Sequence, residues 1–290
     1  MGIDLHIHTN ISSDGEFTAK EIGEMAKTVG LQAIAITDHD TVEGVEEGIY
    51  WGDKLGIEVI PGVEISAEYH GRWMHILGYF IDIQNQDLIR LGEKVREDRL
   101  QDVDRQIKTL QDNGFYLEKK KVLEVATGDT PLYSAYSTAI FEDQRNQENP
   151  IIKSYLGIEN YILRFCEDYM VRGKTAFIDQ FIPDAVDVLS VIRQSGGIPI
   201  LAHPGSGLGD EDDNLIDELL PHGLKGLEVI TSRHNEAQEK HYLNYCQAKN
   251  LVYTCGSDFH GKLKPYIKLG QIHGNDYKIL ERLRKISQSF

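Results

Sequence analysis

The chain has 290 residues, of which 41% are hydrophobic and 26% are charged, so it is long enough for one barrel with an insertion and ordinary in composition for a globular protein. Its net charge of −16 is spread along the sequence and disfavours long nucleic acid as a partner. No apolar run approaches the length of a membrane span, which argues against a membrane partner. Three widely separated cysteines, in a chain that begins with strand-like sequence, predict a cytoplasmic location. The sequence indicates no oligomeric state.

Short apolar runs rich in Ile and Val recur along the chain, with helix-like sequence between most of them. The predicted strands are 3–8, 33–37, 59–65, 75–81, 198–202, 226–230 and 251–255. Between the first two, Thr18 is a plausible cap for the first helix. Alternating strands and helices predict an α/β fold with a parallel sheet, and seven such units predict a barrel.

The alternation stops between residues 84 and 181. Residues 88–113 read as one long helix rich in charged residues, and more helical sequence follows. We therefore expect a barrel formed by residues 1–83 and 182–290, with residues 84–181 inserted as a helical cap.

The first predicted strand carries His6 and His8. Side chains two apart on a strand project from the same face, so the two imidazoles can share one metal ion. An isolated pair of this kind is as readily explained by two polar residues at a strand end.

Potential metal ligands also stand at the ends of most later strands. They are Asp38, His39 and Asp40 after the second, Glu64 in the third, His203 after the fifth, and Asp258 and His260 after the seventh. In a barrel the carboxyl ends of the strands meet in one place, where the active site is built. His75 is the exception, because it opens the fourth predicted strand.

This combination of residue types favours particular chemistry. Imidazoles and carboxylates without thiolates suit zinc, manganese or iron, and a carboxylate such as Glu64 can bridge two ions. Three divalent ions would bring +6 against −3 from Asp14, Glu64 and Asp258, so the pocket would attract anions. We therefore expect hydrolysis of phosphate esters at two or three divalent ions.

The ordered motifs resemble those of the PHP (polymerase and histidinol phosphatase) superfamily. They are DLHIHT at 4–9, SDG at 13–15, ITDHDT at 36–41, PGVEIS at 61–66, AHPG at 202–205 and GSDFH at 256–260. The resemblance covers residues 1–83 and about 182–261. It implies a distorted seven-stranded (β/α)7 barrel, the PHP fold, with a trinuclear metal site.

The resemblance also implies three ligand sets. The first is His6, His8, Glu64 and Asp258, the second is Glu64, His75 and His203, and the third is Asp14, His39 and His260. Asp14 stands where histidinol phosphatases have histidine, which points to the branch of small-molecule and nucleotide phosphoesterases.

Further candidates lie around these ligands. The resemblance places His234 near the substrate phosphate, where it could protonate the leaving group, although a solvated loop histidine is the alternative; Arg233 beside it is a second candidate substrate contact. Asp38 is a candidate partner of the ligands or a proton carrier. In the cap, Ser134, Ala135 and Tyr136 align where nucleotide phosphatases of this branch usually have an Arg-x-His pair.

We expect a phosphatase of small phosphate monoesters, with a nucleoside mono- or bisphosphate as substrate and a metal-held hydroxide as nucleophile. The alternative is an exonuclease that trims short oligonucleotide ends, which needs no extended basic surface. A third hypothesis, a non-catalytic metal-binding accessory module, predicts lost ligands, whereas all nine ligand positions carry competent residues.

Overall fold

Seven strands form one sheet in the order in which they occur along the chain. The computed structural model describes residues 2–128, 130–207 and 213–288. The strands are β1 (Gly2–Ile7), β2 (Leu31–Ile36), β3 (Glu58–Tyr69), β4 (Arg72–Tyr79), β5 (Ile198–Leu201), β6 (Gly226–Thr231) and β7 (Val252–Gly256). The α/β class and the seven predicted strands are confirmed, and their ends differ from the prediction by a few residues at most.

Helices separate most of these strands. In the described residues the α-helices are α1 (Ala19–Val29), α2 (Glu43–Leu55), α3 (Gln86–Asp112), α4 (Lys119–Val125), α5 (Tyr133–Glu142), α6 (Pro150–Tyr155), α7 (Tyr161–Tyr169), α8 (Ala185–Gln194), α9 (Pro204–Gly207), α10 (Asp213–Leu219), α11 (Glu236–Lys249) and α12 (Tyr277–Ser287). Short 3-10 helices span Gln144–Asn146, Leu220–His222 and Gly261–Leu263. No helix within these ranges is long and apolar enough to cross a membrane.

The prediction of a fully parallel sheet is wrong for β4. This strand pairs antiparallel with both β3 and β5, whereas the other neighbouring strands pair in parallel. A tight turn at His70 and Gly71, both with positive φ, reverses the chain after β3. The start of β4 therefore lies at the same end of the sheet as the carboxyl ends of the other strands.

This reversal corrects the position of His75. The strand begins at Arg72 rather than at His75, and His75 is paired with Ser66 near the end of β3. An antiparallel strand delivers its early residues to the end where parallel strands deliver their last ones. His75 is thus on the same end of the sheet as the other candidate ligands.

The two edge strands of the sheet lie side by side. An isolated parallel bridge joins Ile7 to Phe259, and the backbone N–H of Asp258 donates to His6 O at 2.9 Å. The regular ladder does not close between β7 and β1 within the described residues. The contact lies just beyond the carboxyl end of β7, where it brings the segment after β7 against the histidines of β1.

The first helix begins as predicted. The Thr18 hydroxyl accepts from the backbone N–H of Glu21, and the Glu21 carboxylate accepts from the backbone N–H of Thr18, which forms a capping box. In the preceding loop, Asn10 N–H donates to Phe17 O at 2.8 Å. The cap and this bond hold the loop that carries Asp14.

Residues 84–181 contain helices α3 to α7, and these pack around an apolar core of their own that includes Phe115, Tyr136 and Phe165. Contacts with the strand ends are specific: Arg99 of α3 pairs with Asp40 at 2.7 Å, and Thr127 Oγ1 donates to Ser12 O at 3.0 Å. The helical segment therefore lies against the end of the sheet that carries the candidate ligands. Its division from the barrel as a separate cap domain stays a prediction.

Candidate metal centre

Strand β1 places two buried imidazoles beside two carboxylates. The Nε2 atoms of His6 and His8 lie 3.0 and 3.2 Å from Glu64 Oε2. The same atoms lie 3.6 and 3.4 Å from Asp258 Oδ1. The structure thus brings together the four residues predicted as the first ligand set, with ligand atoms close enough to share an ion.

Glu64 lies at the centre of the cluster. Its Oε1 is 2.9 Å from His75 Nδ1 and 3.1 Å from His203 Nε2, so both imidazoles of the second predicted set lie against this carboxylate. The two imidazoles nevertheless belong to different groups of mutually close ligand atoms, His75 with His39 and Glu64, and His203 with His6 and Glu228. Glu64 Oε2 is 3.3 Å from His39 Nδ1. Burial is the largest single influence on the pKa of the Glu64 carboxyl, and it raises that pKa. The surrounding imidazoles, His6 first among them, together outweigh burial and hold the pKa well below its ordinary value.

The third predicted set lies next to the first. Asp14 Oδ2 is 3.2 Å from His260 Nε2 and 3.8 Å from His39 Nε2. His8 belongs to the same group of neighbouring ligand atoms, and its ring stacks on that of His260 with centroids 4.0 Å apart. All nine predicted ligands therefore lie in one continuous cluster.

Two of these residues have unusual backbone conformations. His203 has φ of 27° and Asp258 has φ of 59°, in the left-handed region that residues with a Cβ rarely adopt. The segment after β7 is held by the Asp4 carboxylate, which accepts from the backbone N–H groups of Ser257 and Gly270, each at 2.8 Å. Such conformations persist where the surrounding structure enforces them, and they cluster at functional sites.

The cluster fits divalent metal ions. His8 Nε2 and His75 Nδ1 are buried and close to carboxylate oxygens, yet neither makes a hydrogen bond. Buried nitrogens are normally hydrogen-bonded, and imidazole nitrogens that converge with carboxylate oxygens on a shared point are the arrangement that a metal ion requires. The free cysteines, Cys166, Cys246 and Cys255, are not among these ligands. Zinc, manganese and iron all suit a donor set of imidazoles and carboxylates.

Glu228 on β6 is a further buried member of the centre. Its Oε1 lies 2.9 Å from His6 Nδ1, and its Oε2 accepts from the backbone N–H of His203 at 3.0 Å. From the sequence alone its role was ambiguous. The feature of the sequence that indicates a role for Glu228 is its charge, because a carboxylate in the middle of a fully buried apolar strand requires a polar partner.

Two cations hold the other oxygen of Asp258. Arg233 Nε lies 2.7 Å and Lys264 Nζ 2.6 Å from Asp258 Oδ2, on the side away from His6 and His8. Burial would raise the pKa of the Asp258 carboxyl, but Lys264 and Arg233 keep it well below its ordinary value. Arg233 is a predicted substrate contact, whereas no sequence motif predicts Lys264.

His234 lies beside the cluster with both ring nitrogens hydrogen-bonded to backbone. Nδ1 is 2.8 Å from Val229 O, and Nε2 accepts from the backbone N–H of Gly205 at 2.9 Å. These partners define a neutral tautomer with the proton on Nδ1. Burial lowers the pKa of His234, in agreement with the neutral form. To protonate a leaving group, the ring would have to release Gly205.

Asp38 faces the loop after β1. Its Oδ1 accepts from the backbone N–H of Thr9 at 2.6 Å, and its Oδ2 accepts from the Thr9 hydroxyl at 2.7 Å. Burial raises the pKa of Asp38 to about 6, which is a suitable range for proton transfer. In this arrangement the carboxyl group anchors the loop beside the centre, and a role as proton carrier stays a prediction.

Two cavities flank the cluster, and Asp14 and Ser134 line both. One, of about 610 Å³, is a cleft between the sheet end and the helical segment and is lined by Phe141 and Tyr161. The other, of about 320 Å³, is lined by the cations Arg99, Arg233 and Lys264 and by ligands and apolar residues.

Residues 134–136, where the chain lacks the expected Arg-x-His pair, thus begin beside the centre. Ser134 reaches both cavities, while Tyr136 is buried in the apolar core of the helical segment. Arg99 on α3 is the arginine of this segment that lines the smaller cavity, and sequence reasoning did not single it out. It is held there by Asp40 and by the Ser66 hydroxyl, to which Nη2 donates at 2.9 Å.

Comparison with known proteins gives consistent matches. A family model described as PHP domain matches residues 4–144. The chain is 30% identical over 261 residues to phosphoribosyl 1,2-cyclic phosphate 1,2-diphosphodiesterase of Eggerthella lenta, covering 89% of this chain and 94% of that protein. It is 28% identical over 271 residues to a 5'-3' exoribonuclease of Haemophilus influenzae, covering 89% of each chain.

A further relative is the 3',5'-nucleoside bisphosphate phosphatase of Chromobacterium violaceum, with 25% identity over 271 residues, covering 89% of this chain and 87% of that protein. Among solved structures, one described as a metal-dependent phosphoesterase from Bifidobacterium adolescentis superposes with a TM-score of 0.83 at 25% identity. That superposition covers 98% of this chain and 95% of the other.

Proposed function

The chain belongs to the PHP domain family and is a metal-dependent phosphoesterase, and on this premise we propose that it hydrolyses small phosphate monoesters, with nucleoside mono- or bisphosphates as preferred substrates. The observation that carries the proposal is the position of Glu64, whose two carboxylate oxygens face five different imidazoles. A carboxylate in this position can bridge neighbouring ions, and paired ions of this kind clamp a phosphoryl group in two-metal phosphatases.

We assign three ligand sets within the cluster. The sets are His6, His8, Glu64 and Asp258; Glu64, His75 and His203; and Asp14, His39 and His260, with two or three ions of manganese, zinc or iron as cofactors. Among the described residues, the ligand atoms close enough to share an ion also group His75 with His39 and Glu64, and His203 with His6 and Glu228. When bound, such ions lower the pKa of a coordinated water and stabilise the charge that develops on the phosphoryl oxygens. The cationic side chains near Asp258 would add to the attraction for an anionic group.

The two cavities support a small substrate. The larger cleft offers the rings of Phe141 and Tyr161, 4.7 Å apart at their centroids, as a surface for a nucleobase or another apolar group. The net charge of −16 on the protein disfavours a long polyanion outside the centre. A compact phosphate ester can place its base or other apolar group on this surface and carries too little charge to be repelled strongly by the rest of the protein, since only its phosphate has to approach the charged centre.

Trimming of short oligonucleotide ends is the second candidate function. The relative from Haemophilus influenzae is named a 5'-3' exoribonuclease and matches most of this chain. An enzyme that removes one terminal nucleotide at a time needs the same phosphate-binding centre and no long basic track. The two functions differ in the length of the substrate that is cleaved fastest.

Substrate length is therefore the deciding experiment. Manganese-loaded protein is assayed for product release from a nucleoside monophosphate, a nucleoside bisphosphate and a single strand of about 20 nucleotides at matched concentration and salt. We expect faster turnover of the small esters. Faster cleavage of the long strand would favour the exonuclease, and the absence of hydrolysis in metal-loaded protein would refute both functions. The Glu64→Gln variant controls for contaminating phosphatase.

A further inference from the structure

Two positively charged side chains contact the Asp258 carboxylate, which carries a single negative charge. Its Oδ2 receives both Arg233 Nε and Lys264 Nζ, so two cations meet one carboxylate oxygen. The Lys264 side chain is only 4% exposed, whereas that of Arg233 is 34% exposed. A buried ammonium group is costly unless its charge and its N–H groups find partners.

The need to orient Asp258 does not by itself explain why the Lys264 ammonium group is buried beside it. Arg233 already donates to Oδ2, and the backbone N–H of Asp258 is held by His6 O. The ammonium group has three N–H donors. Among the described residues its side-chain neighbours at hydrogen-bonding distance are Asp258 Oδ2 at 2.6 Å and His260 Nε2 at 3.5 Å. At least one donor is thus available to another group.

Metal binding would make a second donor available. His260 Nδ1 lies 2.8 Å from Asp258 O, which leaves Nε2 as the nitrogen that can bind an ion. A nitrogen lone pair that binds an ion cannot also accept a hydrogen bond. Lys264 also lines the cavity of about 320 Å³ together with Asp14, His39 and His75, three of the assigned ligands. A positive group with free N–H donors consequently faces the space next to the metal ligands.

We propose that Lys264 binds the phosphoryl group of the substrate, as a phosphate-binding residue that supplements the metal ions. The proposal rests on the proposed function. An ammonium group serves as a compact positive charge with several donors, which suits the oxygens of a phosphoryl group. The Gly261–Leu263 3-10 turn, with Lys264 N–H donating to Gly261 O at 3.1 Å, returns the chain so that the Lys264 side chain reaches Asp258 and His260.

The test separates phosphate binding from support of Asp258. Wild-type protein and the Lys264→Met variant are loaded with manganese, and three quantities are measured: bound manganese, the dissociation constant of inorganic phosphate, and kcat and KM for a nucleoside monophosphate. We expect unchanged manganese content and a dissociation constant for phosphate that rises by roughly 10-fold or more, because a hydrogen bond to a charged group is lost. Lys268→Met is the control, since Lys268 is exposed and its Nζ donates to Pro265 O.

Two results would overturn the assignment. Loss of manganese in folded Lys264→Met protein would show that Lys264 acts by supporting Asp258, and unchanged phosphate affinity would show that it contacts no phosphate. If Lys264→Met does not fold, Lys264→Gln, which keeps a polar side chain, is measured under the same criteria. Wild-type protein that hydrolyses no ester would refute the proposed function itself. Active wild-type protein with a variant of equal phosphate affinity would refute only the role of Lys264.

Discussion

His6 Nδ1 lies 2.9 Å from Glu228 Oε1, and both side chains are completely buried. The other oxygen of Glu228 accepts from the backbone N–H of His203, so the carboxylate is fixed as an acceptor. This arrangement favours the proton on Nδ1 and leaves Nε2 of His6 free to bind an ion beside Glu64 and Asp258. Glu228 therefore orients a ligand without belonging to the proposed ligand sets.

Replacement of Glu228 by glutamine should weaken the first metal site. The amide keeps the shape of the side chain but loses the charge, and its single oxygen can accept from His6 Nδ1 or from the backbone N–H of His203, but not from both. We expect manganese affinity to fall by about 10- to 100-fold, the usual effect of removing such a partner. Competition with a chelator measures the change. Glu218→Gln is the matched control, because Glu218 pairs with His70 on the surface at 3.2 Å, and equal affinities in the two variants would contradict the role of Glu228.

Glu64→Gln should have the largest effect among single ligand substitutions. Loss of the bridging charge affects two ions together, so we expect at least one ion fewer per chain and turnover lower by about 100-fold or more, which corresponds to about 2.7 kcal/mol in the barrier. Elemental analysis and phosphate release measure the two effects. Glu68→Gln on the same strand, where Glu68 pairs with Arg172, should retain both. Near-normal metal content in Glu64→Gln would refute the bridging assignment.

Metal affinity should increase with pH. Burial lowers the pKa of His6 and of His8, but nearby carboxylates, Glu64 and Asp258 among them, outweigh it and raise that of His8 to about 9. Burial lowers the pKa of His203 to about 3 and that of His260 to about 4. At neutral pH, metal-free protein therefore holds protons on His6 and His8 that an ion must displace, while His203 and His260 are already neutral.

A raised pKa means that acidification strengthens proton binding against metal binding, so manganese affinity should fall as the pH decreases from about 9 to about 6. Calorimetry in two buffers of different ionisation enthalpy measures the protons released. Affinity that does not change over this interval would show that the imidazoles of His6 and His8 are neutral before the ion binds.

His234→Asn tests whether His234 is a proton donor or a support for the neighbouring loop. The prediction of proton donation requires that the variant keep its metal and lose turnover by about 100-fold for esters with poor leaving groups, and much less for good ones. An equal loss for both kinds of ester would indicate positioning of Gly205, which the ring holds through Nε2. Unchanged activity would assign proton donation to Asp38 or to water.

The larger cleft should determine which ester binds. Tyr161 is partly exposed and packs on Phe141, so Tyr161→Ala removes a ring surface without opening the core. We expect KM for a nucleoside monophosphate to rise by about 5- to 10-fold, in line with the value of a base stacked on an aromatic side chain, while hydrolysis of p-nitrophenyl phosphate is retained. Tyr116→Ala, an exposed tyrosine elsewhere in the helical segment, is the control. Equal KM values for the nucleotide in both variants would contradict a base at this position.

Much of the centre could be predicted from the sequence because its signals are local. Alternation along β1 puts His6 and His8 on one face, and parallel strands bring their carboxyl ends together, so the convergence of His203 and Asp258 follows from their positions just after strand ends. The capping box at Thr18 is also local, since it depends on residues three apart.

Other features depend on contacts between distant parts of the chain. His75 joins the cluster only because β4 runs antiparallel to β3, and periodicity along one strand does not reveal the direction of its neighbour. Glu228, Arg99 and Lys264 lack a recognisable motif, and their partners lie in other elements. The sequence by itself determined the residue types and strand ends that build a metal centre, because these follow from local periodicity. Only the tertiary structure decided which buried charges meet, because the cost of burying a charge depends on partners that are distant in sequence.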